Sequence, residues 1–392
     1  MKLLRTILDR VKPSFRKGAR FGFLHSTFEA FDSFAFVSNA TTRSGAHIRD
    51  CNDLKRVMTV VIIALLPALC FGCWNVGYQH ALAFGHETTF WSLFGYGFLR
   101  VLPILLTSYI VGLGVEFVAA QLRGHEVNEG FLVTGLLIPL IMPVNIPLWM
   151  VGLATAFAVI IGKEIFGGTG MNIFNPALLA RAFIFFSYPS QISGDQAWVA
   201  GLPSPSAIDA ASGATPLAEA AAGHVDALPS LADLFFGFIP GSIGETSTLA
   251  ILIGAVILIY TGVASWKIML SCVVGLLATG YVLHWIGGAP YLSLPPYCHL
   301  LMGGFAFGAV FMATDPVTAA QTETGKWLYG FLIGALTILI RVFNEGYPEG
   351  MMLAILLMNA FAPLIDHYVV AAHIRRRLKR ARTISNPVSL KS

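Results

Sequence analysis

Residues 57–77 read VMTVVIIALLPALCFGCWNVG. No charge interrupts this stretch, and roughly 20 apolar residues are what a helix needs to cross the hydrocarbon core of a bilayer. Pro67 does not spoil the reading, because membrane helices accommodate proline where neighbours satisfy the freed backbone. A second feature is the Cys70-Phe-Gly-Cys73 spacing, which in a polar setting suggests a redox or metal pair. Here it lies inside the apolar run, and Cys51, Cys272 and Cys298 are scattered. An iron–sulfur cluster needs four convergent ligands, so ordinary buried thiols and no metal are expected.

The rest of the 392-residue chain repeats the pattern. It is 56% hydrophobic and only 12% charged, against about a quarter charged in a soluble domain, with a mean hydropathy of +0.71. Membrane segments are predicted at 57–77, 98–121, 131–145, 147–163, 173–190, 246–263, 266–286, 298–314, 326–342 and 351–373. The expectation is an all-α integral membrane protein of about ten transmembrane helices. It divides into a lead (1–56), a first membrane half (57–190), a loop (191–245), a second membrane half (246–373) and a basic tail (374–392). The third, fifth and eighth segments are short or broken by Gly and Pro, which is tolerated at membrane depth only where backbone faces protein or a cavity.

Charge placement orients the chain. MKLLRTILDRVKPSFRKGAR (1–20) and RRRLKRAR (375–382) are basic, so both termini are expected in the cytoplasm and the number of crossings even. The basic ends are short and flank spans, so no nucleic-acid binding is expected, and residues 1–20 do not form a signal peptide. Leu3, Leu4, Ile7, Leu8 and Val11 recur at helical spacing among Arg5, Asp9 and Arg10, which suits an amphipathic helix on the membrane face or against a partner. Loop 191–245 holds one His and no Lys or Arg, and is placed outside.

An offset of 178 residues pairs Trp149 with Trp327, Gly152 with Gly330, Lys163 with Arg341, Gly168 with Gly346 and Ala182-Phe183 with Ala360-Phe361. The shift moves the fourth segment onto the ninth, an odd number of crossings, so the two five-helix halves are expected to be inverted copies. That plan is common among proteins that move ions. On this pattern alone a secondary transporter with no redox centre is one reading.

Several constellations can carry chemistry. In DAASGATPLAEAAAGH (209–224), Thr215 suits a helix N-cap, with Pro216 at N1 and Glu219 in the first turn. The same geometry suits a phosphate, and the small neighbours Ser212, Gly213 and Ala214 leave the hydroxyl open to a modifying enzyme. GGTGMNIFNPALLARAF (167–183) sets three glycines before Asn172 and Asn175. It reads either as a capped helix break or as a cradle for a flat ring whose edge needs donors and acceptors. Ionisable residues within spans usually face an interior path; Glu116, Glu164, Asp315 and Asp366 are the candidates, with Glu116 and Asp366 favoured for the ion path. Lys163 with Glu164, and Asp366 with His367, are alternatively structural pairs or interfacial caps. RGHEVNEGF (123–131) reads as a solvated loop or, through His125, Glu126, Asn128 and Glu129 beside Phe131, as a hydrogen-bonding frame for a polar headgroup at the membrane edge. GGTG follows no strand and opens no βαβ unit, so the chain carries no Rossmann-type dinucleotide fingerprint there, and any oxidation of a nicotinamide cofactor would belong to a partner.

SGAT at 212–215, HEVNEGF, KEIFGGTGMNIFNPALLARAF, IPGSIGETSTLA, GGFAFGAVFMATDPVT and YPEGMMLAILLMNAFAPLIDH cover much of the chain. Together they resemble a family of membrane flavoproteins that includes the B subunit of the Na+-translocating NADH:quinone oxidoreductase and the D subunit of the Rnf complex, which exchanges electrons between ferredoxin and NAD. The lead with HIRDCNDLKRVM (47–58) resembles the quinone-reducing member. The resemblance implies FMN esterified through its phosphate to Thr215 by a flavin transferase, with Ser212, Gly213 and Ala214 as recognition residues. It further implies non-covalent riboflavin near Asn172 and Asn175, and ubiquinone reduction near Glu129 and Gly130. It implies outward Na+ or H+ transport, other subunits as partners, and a bacterial inner membrane location.

Overall fold

A computed structural model of the chain describes residues 54–85, 89–123, 130–189, 198–201, 214–224, 228–288, 294–344 and 349–385, with isolated positions elsewhere. Every regular element among the described residues is helical. In chain order these are α1 (Leu54–Phe84), α2 (Phe90–Arg123), α3 (Phe131–Leu140), α4 (Leu148–Val159), α5 (Pro176–Ser187), α6 (Pro216–Ala221), α7 (Leu231–Phe236), α8 (Thr248–Tyr260), α9 (Trp266–Ile286), α10 (Cys298–Leu301), α11 (Phe305–Phe307), α12 (Glu323–Phe343) and α13 (Met351–Ser385). α4 runs on into a π-helical turn, Ile160–Glu164, and α11 into another, Gly308–Met312.

Among the described residues five helices, α1, α2, α9, α12 and α13, are long and apolar enough to cross a membrane. The other five expected segments form helices at the predicted places, but short or broken ones. α5 has 12 residues, about 18 Å at 1.5 Å per residue, too short for a core of about 30 Å. The causes are local. Pro143 and Pro147 follow α3 and cannot extend its hydrogen-bond ladder. α5 starts where Asn175 accepts from Ala177 N at 3.0 Å, with Pro176 next. At the other end of the chain, α13 carries its helix through the basic residues to Ser385, so the expected tail continues the last segment.

The helices pack as two similar chains of neighbours: α2 on α4 and α4 on α5, then α9 on α12 and α12 on α13. α1 packs on both α2 and α8, and α5 touches α13. Without a hydrophobic drive inside lipid, such contacts rely on close backbone approach. A Cβ on Gly97 would lie 1.7 Å from Cys73 O, and one on Gly334 would lie 2.0 Å from Cys272 O. Outward faces are apolar, as at Leu99, Ile110, Val256 and Trp285, all exposed.

Gly334→Leu is therefore expected to lower the thermal unfolding temperature in detergent, at a cost of about 1–3 kcal/mol or more. Gly152→Ala, whose new Cβ meets only side chains at 3.5 Å and beyond, should be neutral or mildly stabilising. Equal effects from the two would contradict the packing.

Candidate functional site

Two helices stop among buried residues, and the carbonyls they free need donors. Beyond α3, Leu140 O accepts from Gly244 N at 2.7 Å and Met142 O from Ile243 N at 3.3 Å. Ile141 O accepts from the Arg181 guanidinium, which reaches over from α5. Beyond α10, Arg341 of α12 donates to His299 O at 2.6 Å and Met302 O at 2.9 Å. Both arginines are nearly solvent-free, at 1% and 2% exposure. Arg181 also meets Ser242 Oγ (3.1 Å), Glu245 Oε1 (3.3 Å) and the Glu349 carboxylate, while Arg341 Nε donates to Glu349 O at 3.2 Å. Two cations thus face two carboxylates. Gly304 makes room for this knot, since a Cβ there would press 2.9 Å from Glu245 Cδ.

A cleft that shares no residue with the knot has apolar walls from Val57, Val61, Leu137, Leu258 and Phe311. Its polar rim joins Asn172, Asn175, Asp315 and Lys163. Asn175 serves twice: its Oδ1 caps α5, and its Nδ2 donates to Asp315 Oδ2 at 3.4 Å. Asp315 also accepts from Thr318 Oγ1 at 3.0 Å and Val317 N at 3.1 Å. With its amide oriented to satisfy both ends, Asn359 accepts from Asn175 N at 3.2 Å and donates to Tyr329 Oη at 2.7 Å. Lys163, in the π-turn, is ion-paired with Glu116 of α2. The cleft therefore offers amide and carboxyl groups to a ligand, while its lysine is already neutralised. That donor set fits a flat, uncharged heteroaromatic ring and suits a phosphate poorly.

The sequence-predicted residues are distributed as follows. Asn172, Asn175 and Gly130 meet in the cleft, where a Cβ on Gly130 would collide with Thr169 Cγ2 at 2.5 Å. Glu129 lies outside the described residues, as do Ser212 and Gly213. Thr215 is the N-cap of α6, its Oγ1 accepting from Ala218 N at 3.2 Å. It is buried rather than open, because Leu217 and Ala220 seat the helix on Leu234, Ile239, Leu294 and Met302. Glu116 and Asp366 are not brought together as a pair. Asp366 ties α13 to the start of α12, accepting from Gln321 N (2.7 Å), Thr322 N (2.9 Å) and Thr322 Oγ1 (2.5 Å). It acts there as an interfacial cap rather than as a partner of His367. Lys163 pairs with Glu116 rather than Glu164, and Glu164 pairs with Arg123 at 3.1 Å. Cys73 is buried but Cys70 is exposed, so the two thiols do not form a common buried pair. Glu245 and Glu349 were missed by sequence reasoning; the signal available was carboxylates beside glycines at the edges of apolar segments.

A model of the NQR2, RnfD, RnfE family matches residues 41–375. The chain is 48% identical over 403 residues to a Chromohalobacter salexigens protein named as the B subunit of a Na(+)-translocating NADH-quinone reductase, covering 96% of each. Proteins of the same name from Pseudomonas aeruginosa (strain LESB58) and Azotobacter vinelandii are each 46% identical, covering 96% of this chain and 99% of theirs.

Arg181→Met should strand Glu245 and Glu349 without their common donor, a loss of about 3–5 kcal/mol for a buried pair broken on one side. Thermal unfolding of the purified protein measures it. The triple variant Arg181→Met, Glu245→Gln, Glu349→Gln should recover part of the loss, and no recovery would contradict the pairing.

Proposed function

This chain belongs to the NQR2, RnfD, RnfE family, and we propose from that premise that it is the flavin-carrying membrane subunit of a Na+-translocating NADH:quinone oxidoreductase. It carries FMN covalently on Thr215 at the outer membrane face and riboflavin in the cleft, and relays electrons inward to ubiquinone. NADH is oxidised on another subunit of the complex, and a flavin transferase installs the FMN. The names of the relatives favour the quinone-reducing member of the family over the Rnf member. Both termini lie in the cytoplasm of a bacterial cell, and the membrane part is two inverted five-helix halves. The parallel order of packing, α2–α4–α5 beside α9–α12–α13, supports that arrangement.

The observation that carries the reading is the cleft itself. Asn172, Asn175 and Asp315 set hydrogen-bonding groups along one edge of an apolar slot, and the neutralised Lys163 leaves no free cation for a phosphate among the described residues of the rim. A riboflavin satisfies both conditions; FMN does not. Bound flavins supply one-electron chemistry. The chain holds the ring edge through the amides, keeps water out with Val61, Leu137 and Phe311, and fixes Asn175 through α5 and Asn359. Gly130 lies on the cleft wall, and the quinone headgroup arrives on its side, with Glu129 next to it in the sequence as the second quinone residue. Glu116 lies on the ion path. Moving one cation outward against 100 mV costs about 2.3 kcal/mol, which the drop in electron energy must exceed.

Thr215→Ala should abolish the flavin fluorescence of the denatured chain on a gel, and Thr215→Ser should keep it; fluorescence surviving in Thr215→Ala would contradict the attachment. Asn175→Asp preserves the helix cap but sets a second carboxylate against Asp315. Riboflavin extracted from the complex should then fall roughly tenfold, the cost of losing one or two hydrogen bonds to a buried ligand, while the covalent signal stays.

A further inference from the structure

We propose that Lys163 is a movable counter-ion shared between the cleft and Glu116, so that negative charge entering the cleft frees Glu116 to bind a monovalent cation. The inference rests on the cleft being the riboflavin site, and adds the link between electrons and ions.

Three features of the geometry point to it. First, Lys163 faces two places at once. It lines the cleft, and its Nζ is bonded to Glu116 Oε1, each side chain being 4% exposed. A single ammonium between two buried anionic positions cannot neutralise both, and a bare buried carboxylate demands a cation. Second, the side chain can move while its backbone is held. It hangs from the π-turn, a form frequent at functional sites. The next residue, Glu164, is clamped to α2 by Arg123, through its carboxylate at 3.1 Å and its carbonyl at 2.5 Å. Lysine's flexible four-carbon stem can therefore swing without unpacking the helix.

Third, the surroundings shape the exchange. The Lys163 ammonium lies 5.9 Å from the centroid of the Phe131 ring, an apolar surface that a cation can cross at low cost. Phe131 sits against Gly112, where a Cβ would overlap its Cζ at 1.8 Å. Gly112 is four residues before Glu116 on α2, one helical turn away, so the ring stands beside the carboxylate. When Lys163 turns toward the cleft, Glu116 is left buried with an uncompensated charge. A sodium ion arriving there completes the exchange, and no proton or covalent bond is moved. Thermodynamic reciprocity then requires the converse: sodium at Glu116 pushes Lys163 toward the cleft and favours negative charge there.

The test uses the purified, assembled complex carrying Lys163→Gln, Lys163→Arg or the double variant Glu116→Gln, Lys163→Gln. Sodium binding is measured on the fully oxidised complex, and the midpoint potential of the non-covalent flavin is measured with and without sodium. Lys163→Gln should bind sodium in the oxidised state at least about tenfold more tightly than the unmodified complex, within the 5–150-fold typical of coupled sites. The double variant should lose that gain, and Lys163→Arg should behave like the unmodified complex. In the unmodified complex sodium should raise the midpoint potential by about 59 mV for each tenfold of coupling in a one-electron step, and Lys163→Gln should show no shift. A potential independent of sodium in the unmodified complex overturns the proposal even if Lys163→Gln does not assemble. So does equal sodium affinity in Lys163→Gln and the unmodified complex. Absence of extractable riboflavin from the unmodified complex is a different failure, which removes the flavin reading of the cleft, since the oxidised sodium measurement needs no flavin to be present.

Discussion

Helices that end within an apolar layer leave carbonyls with no water to accept from, and this protein answers with two buried arginines. Arg181 covers the break after α3, and Arg341 covers the break after α10. Each is held in turn by Glu349, through its side chain in one case and its carbonyl in the other. Without such donors the breaks would each cost several kcal/mol per unsatisfied group, and continuous helices would win. The charged knot is therefore a condition for the two breaks to persist, and α5, which carries Arg181, also carries Asn175 to the cleft rim.

From the breaks the rest follows. Because α5 starts afresh at Asn175, its capping amide lies at the cleft rim and can bridge to Asp315. Because Gly237 takes a left-handed φ of 95° to end α7, and a Cβ there would lie 2.6 Å from Ser247 Cα, the chain turns directly into the buried run before α8. That run carries Ser242 and Glu245 to Arg181. The small cluster under α6 ties Thr215 to the same neighbourhood, with Leu217 packed near Met302, whose carbonyl Arg341 holds. On the proposed function, a cofactor on Thr215 would be anchored near the Arg341 side of the knot, and a ligand in the cleft would be linked to the knot through α5, which carries both Asn175 and Arg181.

Much of this was legible in the sequence where the signal is local. The stretch 266–286 forms a helix over those same residues, because an apolar run whose basic residues, Lys267 and His284, sit near its ends has one solution in a membrane. Thr215 and Asn175 cap helices as their neighbours Pro216 and Pro176 imply. What was not legible depends on partners far apart in the chain. Glu116 finds Lys163 47 residues away, and Arg181 finds Glu349 168 away; no periodicity encodes such meetings. Adjacent opposite charges suggested Lys163–Glu164, yet α2 offers each of them a better partner on another helix. Residues 239–245 fall within the expected outer loop 191–245, but Ile239, Ser242, Ile243 and Glu245 are buried, because the arginines need them inside.

The central claim is that the start of α5 at Asn175 and the turn at Asp315 frame a cleft shaped for an uncharged flavin. The most direct measurement is an experimental density map of the assembled, natively produced complex at that cleft. The account predicts a three-ring density without a phosphate, its edge within hydrogen-bonding distance of Asn172, Asn175 and Asp315. Lipid, a phosphate-bearing ligand or closed side-chain packing in that position would contradict it.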